Sequence, residues 1–412
     1  MSFAPTRTAA LRRLDEFLPS AGRCYAERRN DDDGPDTEGL RGNVSQLSPW
    51  LHAGLIAEHE VLDAVLGTHG QRTAEKFIAE VFWRIYFKGY LEQRPAIWTD
   101  YCLARDEALS AVERNSGLRT AYAQAIEGRT GIEAFDIWAR ELIETGYLHN
   151  HARMWFASIW IFTLRLDWRL GADFFLRHLL DGDAASNTLS WRWVAGLHTK
   201  GKHYLARADN IARYTAGRPG GALTAQGLAE DAEPLAEPQD YTRRPLALPA
   251  LPTAADFATP YVLLLHDDAA HHVPLNLPTA PTLVIGAARP TARSPHAVAD
   301  AARHFAADAV ASGISEAASA YGCPSVEWCA GEPLAPILAA AGVERIVLPY
   351  LPQGWTRDAL WPDLAQVASQ GCLVPLLGEL DRATWPHAKA GFFGVAKAID
   401  GILRECGLSS AG

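Results

Sequence analysis

The chain has 412 residues, enough for two or three domains, and 48% hydrophobic with 21% charged residues is the balance of an ordinary water-soluble protein. Its net charge of −10 is uneven: residues 1–215 hold 26 Lys+Arg and 28 Asp+Glu, whereas residues 216–412 hold 12 and 20. The second half is therefore a poor nucleic-acid binder, because phosphate contacts need Lys and Arg, while the near-neutral first half has room for a local basic patch. The longest apolar stretch, Met154 to Leu164, is too short to span a bilayer and ends at Arg165. The opening MSFAPTRTAALRRLDEF lacks the apolar run of a secretory signal. Six scattered cysteines with no CxxC pair point to a reducing compartment, so a cytoplasmic location is expected, without a disulfide framework or an iron–sulfur cluster.

Along the first 215 residues, apolar side chains recur at helical spacing in 9–17, 59–66, 73–92, 132–145, 150–164 and 171–180, with Gly and Pro between. From Ala216 to Asp256 the chain is rich in Pro, Gly and Ala and has no periodicity, the mark of an extended linker. Short apolar runs then alternate with helical segments. Strands are expected at 261–265, 282–285, 325–329, 345–349 and 372–376, with helices at 296–321, 334–341, 359–369 and a closing one at 392–403. The predicted architecture is an all-helical domain (1–215), a linker (216–256) and a parallel-sheet, Rossmann-like α/β domain (257–412).

The chemistry concentrates between Leu148 and Trp193, which hold five tryptophans and the strings LHNHARM and DGDAASNTLSWRW. Asn150 and Met154 share one helical face, and His149 and Arg153 share the next. An Arg in an apolar helix needs an anion, and Asp181 and Asp183 are the natural ones. By themselves these residues fit a structural salt bridge equally well. The Asp-Gly-Asp segment is a turn opening a helix on which Asn187 and Trp191 lie four apart. An Asn there can accept a hydrogen bond from a ring N–H without titrating; a helix cap with core tryptophans is the plainer reading. GNVSQLSPWLHAG places Ser45 and Ser48 before Pro49 at a helix start, suited to a phosphate or simply to capping. AEKFIAEVFWRIYF puts Glu80 and Trp83 on one face, also readable as a surface acid beside a core aromatic. HDDAAHH (266–272) carries metal-type residues without the spacing of a metal site, so no metal is expected.

Taken in order, these pieces resemble the FAD-binding helical domain of the DNA photolyase/cryptochrome family, over about residues 8–215. The resemblance implies FAD as cofactor. Tyr25, Ser45, Leu47 and Ser48 would hold its phosphates and ribose; Arg153, Asp181 and Asp183 would hold the folded cofactor, with Asn187 facing the flavin N5. Trp191 and Trp168 would be the inner electron-transfer residues, and no tryptophan stands near Ala104 for an outer one. Glu80, Trp83, Asn150, Met154 and Trp193 match the positions that contact a cyclobutane pyrimidine dimer, and Arg29 a DNA phosphate contact. Damaged DNA is then the implied partner, and the implied activity is that of a deoxyribodipyrimidine photolyase, a light-driven carbon–carbon lyase. The alternative is a cryptochrome-like photoreceptor that photoreduces FAD and signals through a protein partner; a third reading is a flavin-binding structural or regulatory protein.

The chain departs from the family pattern in order and in detail. The α/β unit follows the helical domain, as a permuted antenna-type domain would, and no motif in it identifies an antenna pigment. His151 replaces the Arg usual after His-Asn, Val44 the usual Thr, and Ile85 a common acid beside Arg84. Lys200, Lys202, Arg207 and Arg213 are available to substitute as DNA contacts.

Overall fold

The computed structural model describes residues 3–37 and 39–408. The first half is helical: α1 (Arg7–Phe17), α2 (Arg23–Arg28), α3 (Ser48–His52), α4 (Glu58–His69), α5 (Glu75–Glu92), α6 (Ala96–Arg114), α7 (Ser116–Ile126), α8 (Glu133–Thr145), α9 (Asn150–Ser158), α10 (Trp168–His178), α11 (Ala184–Val194) and α12 (Ala208–Tyr214). The expected helix 150–164 is broken: α9 passes into a π-helical turn at Ile159–Thr163, a local widening that recurs at functional sites. Helix α6 is absent from the expected elements because its buried face is mixed, with Arg105 among Ile97, Trp98, Tyr101 and Leu109. Local chemistry sets the ends that matter. Gly146 closes α8 in the left-handed conformation, and the Asp167 and Asp183 side chains cap α10 and α11 by accepting from Arg169 N and Ser186 N.

After the extended stretch come β1 (Tyr261–His266), β2 (Leu283–Ala287), α13 (Asp300–Tyr321), β3 (Ser325–Glu327), α14 (Leu334–Ala341), β4 (Arg345–Pro349), α15 (Trp355–Ser369), β5 (Leu373–Leu376), α16 (Glu379–Thr384), α17 (Phe393–Ala396) and α18 (Ile399–Glu405). The five strands form one parallel sheet in the order β3-β2-β1-β4-β5. Its register pairs Leu264 with Ile285, Val262 with Ile346 and Val347 with Val374. Strand β1 is buried along its whole length, as a parallel strand covered on both faces must be. Chain direction across the sheet reverses between β1 and β4, which makes their carboxyl ends the topological switch point. The closing helix expected at 392–403 is two short helices, α17 and α18.

The two halves share a core. Leu263, Leu265, Val284, Trp355, Trp385 and Val395 belong to the same buried cluster as the helical residues. Gly89 on α5 lets Trp385 approach so closely that a Cβ would lie 2.5 Å from the indole. Among the described residues no helix is long and apolar enough to cross a membrane.

Candidate functional site

The site predicted from sequence gathers where α5, α9 and the α10–α11 turn converge. Arg153 on α9 donates to Leu148 O at 2.9 Å and grips Asp181 with both terminal nitrogens, at 3.2 and 2.9 Å. Burial pushes the Asp181 carboxyl up, but Arg153 and the Ser48 hydroxyl outweigh it and hold the group below the usual carboxylate range. Asp183 has a different partner from the one expected. Arg84 on α5 stands 3.2 Å from it and the His52 ring 3.8 Å. Burial raises Asp183, and Arg84 with His52 more than reverses that. Arg84 also donates to Glu58 at 3.0 Å, and Lys88 reaches the same carboxylate at 3.8 Å.

Further along α11, Asn187 Nδ2 donates to Ala172 O at 2.9 Å. Its Oδ1 is then the end available to accept. Trp191 is buried with its indole N–H unpartnered. Its ring lies against α10, where a Cβ on Gly171 would come within 2.2 Å of it. One turn earlier on α10 stands Trp168, 5.7 Å from Tyr101, which is 5.3 Å from Trp98. The Trp98 indole donates to Asp358 on α15 at 2.6 Å. Sequence reasoning missed Tyr101 and Trp98; their i,i+3 spacing was the available signal, hidden because α6 was not recognised.

The predicted lesion-contact residues divide. Glu80 and Trp83 are on α5, and Arg29 donates to Glu80 at 2.7 Å. One terminal nitrogen of Arg29 is thus engaged with an acid of the site, and the side chain stays partly exposed. Burial raises the Glu80 carboxyl, with Arg29 opposing. Trp83 stacks on Phe392, a residue of the far carboxyl-terminal segment, with ring centroids 4.0 Å apart. Trp193 stacks on Tyr204 at 5.8 Å, Asn150 is exposed, and Met154 is half-buried. Tyr25 is buried edge-on to Phe77 at 5.2 Å, and burial pushes its hydroxyl far up. Ser45 offers its carbonyl to Arg13 Nε at 2.8 Å. Leu47 is buried behind it. Gln46 between them has a left-handed φ of 55°, uncommon for a residue with a side chain; its Oε1 accepts from Arg41 N at 2.7 Å.

The sequence reading expects an open pocket here. Beside Asp183 the packing is close: the crevice lined by Asp183, Ala184, Asp268 and the 352–356 loop measures about 10 Å³, room for at most a water. The donor set nevertheless suits a bulky polar cofactor. Paired cations and carboxylates flank a glycine turn, and the indole N–H of Trp191, the hydroxyl of Thr188 and Nε2 of His52 are buried without partners.

Residues 77–216, which include Glu80, Arg153, the Asp-Gly-Asp turn and α11, match the family described as the FAD binding domain of DNA photolyase. Over these residues the helical half of this chain is similar to the DNA photolyase/cryptochrome family. A deoxyribodipyrimidine photo-lyase of Streptomyces griseus is 35% identical over 194 residues, 44% of this chain and 40% of that relative. The Neurospora crassa enzyme of the same name is 32% identical over 197 residues, 46% and 30% of the two chains. A cryptochrome DASH of Oryza sativa subsp. japonica is 28% identical over 199 residues, 48% and 33%. The chain spans less than half the length of these three photolyase/cryptochrome relatives.

Proposed function

We propose that this protein is a light-dependent FAD flavoprotein that splits cyclobutane pyrimidine dimers in DNA. The observation that carries the reading is the convergence of Glu80 and Trp83 on α5 with Arg153 on α9 and the Asp181–Asp183 turn, inside a helical unit similar to the photolyase family. Arg153, Asp181, Asp183, Tyr25, Ser45, Leu47 and Ser48 bind FAD, and Asn187 offers Oδ1 to its ring edge. When bound, FAD supplies light-driven one-electron chemistry. Trp191 and Trp168 feed charge towards it. The rest is done by the chain. Trp83, Trp193 and Met154 form apolar walls for two joined bases flipped from the stack. Glu80, its carboxyl raised by burial, holds a proton beside the base edge, and Asn150 hydrogen-bonds the other base. Residues 257–412 are read as a permuted antenna-type domain after a linker at 216–256.

One observation favours a second reading, a cryptochrome-like receptor that photoreduces FAD without repair. Phe392 covers one face of Trp83, a residue assigned above as a wall for the dimer. Illumination of the reduced, FAD-loaded protein with dimer-containing oligothymidine separates the two. Loss of dimers is the expected result; bound FAD with no loss of dimers moves the assignment to the receptor.

A further inference from the structure

We infer that Arg293 and Trp355, both in the α/β half, are positioning residues for the cofactor site, gripping the Asp181–Gly182–Asp183 turn from behind and so setting how tightly FAD is held. The inference deepens the proposed function and rests on FAD binding at that turn.

The grip is made of two hydrogen bonds and a stack. Arg293 Nη1 donates to Leu179 O at 2.7 Å, and the Trp355 indole donates to Gly182 O at 2.8 Å. The guanidinium lies over the Trp355 ring, 5.0 Å from its centroid. Gly182 makes this possible by having no side chain: a Cβ there would lie 2.5 Å from Arg293 Nη1. The glycine between the two aspartates is thus needed for a close approach from the other half of the chain.

Arg293 is an expensive way to fill space. It is 1% exposed, and among the described residues no carboxylate pairs with it directly. Its nearest acids, Asp267, Asp181 and Asp268, act through space, and burial dominates, weakening its hold on its proton. Burying a cation without a paired anion is costly, so a purely apolar packing role would be better met by Leu or Met. What Arg supplies is a donor aimed at the turn. With the carbonyls of Leu179 and Gly182 drawn towards the α/β half, the flanking carboxylates are left to Arg153 and Arg84 on the opposite side.

Both gripping residues come from the carboxyl edge of the sheet. Arg293 follows β2, and Trp355 begins α15 after β4. The switch point there, where an open sheet ordinarily takes a ligand, is instead filled by the start of α11: a Cβ on Gly354 would lie 2.7 Å from the Ala184 Cβ. The α/β half uses its ligand-binding edge to hold its neighbour's turn.

The test compares full-length wild type, Trp355→Phe, Arg293→Lys and a control, Trp328→Phe. Trp328 is equally buried in the α/β half, but its indole donates to Glu332 O at 2.8 Å, away from the turn. FAD affinity is read from quenching of flavin fluorescence and melting temperature from the same samples without FAD. Trp355→Phe and Arg293→Lys should each weaken FAD about tenfold, the loss of one buried hydrogen bond at the turn. Trp328→Phe should lower melting similarly and leave FAD affinity unchanged. Equal FAD affinity in all four, or equal weakening in Trp328→Phe and Trp355→Phe, overturns the inference. Wild type that fails to bind FAD defeats the proposed function itself. Should the Trp355 and Arg293 variants not fold, hydrogen exchange of wild type decides: FAD should slow exchange at 290–293 and 355–358 as well as at 179–184, and protection confined to the helical half overturns the grip.

Discussion

Phe392 lies flat on Trp83, the two planes within 12° of parallel and their centroids 4.0 Å apart. The contact joins residues 309 positions apart in sequence and places the carboxyl-terminal segment over helix α5. Tyr86 on the same helix donates its hydroxyl to Ala390 O at 2.7 Å, so the segment is held at more than one point. A flipped base can use this face of Trp83 only after Phe392 leaves it. Aromatic stacking of this kind contributes about 0.5–1.5 kcal/mol beyond burial. Phe392→Ala should therefore tighten binding of a dimer-containing oligonucleotide by up to about tenfold, measured by fluorescence anisotropy. Unchanged or weaker binding would mean that the face is not where DNA docks.

The aromatic file from Trp168 through Tyr101 to Trp98 offers an outlet for charge where no outer tryptophan was found in sequence. Tyr101 has a buried hydroxyl with no partner, so it has no acceptor for the proton that an oxidised tyrosine must shed. Trp98, its N–H held by Asp358, is the better terminus. Trp191→Phe should leave FAD bound and stop its photoreduction, and Trp98→Phe should slow it several-fold, both followed by bleaching of flavin absorbance under blue light. Photoreduction at the wild-type rate in Trp191→Phe would break the assigned path.

A buried four-charge network ties Arg218, just after α12, to the helical half. Arg218 donates to Asp32 at 2.6 Å and to Glu141 at 2.7 Å, and Arg41 bridges the same two acids. Burial raises Asp32, yet Arg41 and Arg218 bring it down to about 2. Arg218→Ala leaves two buried carboxylates to one cation, which should cost about 3–5 kcal/mol of folding stability. Urea unfolding of the full chain reads it; a loss under about 1 kcal/mol, the level of a surface pair, would show the network to be solvated.

Acid should destabilise the fold before its carboxylates titrate. Burial pushes His149 down to about 3, and burial with nearby arginines pushes His178 and His198 to about 4. The unfolded chain binds protons at these rings below about pH 6.5, and the folded chain does not. Stability is therefore lost as pH falls through 6.5, with fully buried His149 alone accounting for about 2 kcal/mol at pH 5. Urea midpoints at pH 7.5, 6 and 5 should fall in step, and His149→Asn should flatten the curve. A flat profile down to pH 5 in wild type would contradict the burial of these rings.

Much of this molecule was legible in one dimension. The spacing of apolar residues located α5, α8, α14 and β4 to within a residue or two, because each hides one face or both and the period follows. The Asp-Gly-Asp turn and the polar residues of α9 and α11 marked a cluster of buried charge that needs answering groups, since a charge at helical spacing on an apolar face cannot stand alone. What only the tertiary structure decided is who answers. Arg84 takes Asp183; Arg29 takes Glu80; Phe392 takes Trp83; Arg293 and Trp355 take the carbonyls of the turn. These partners lie tens to hundreds of residues away, and no local pattern encodes them. Helical and strand periods are set by the geometry of the chain itself, whereas the pairing of charges and rings is set by which surfaces the sheet and the bundle bury against each other.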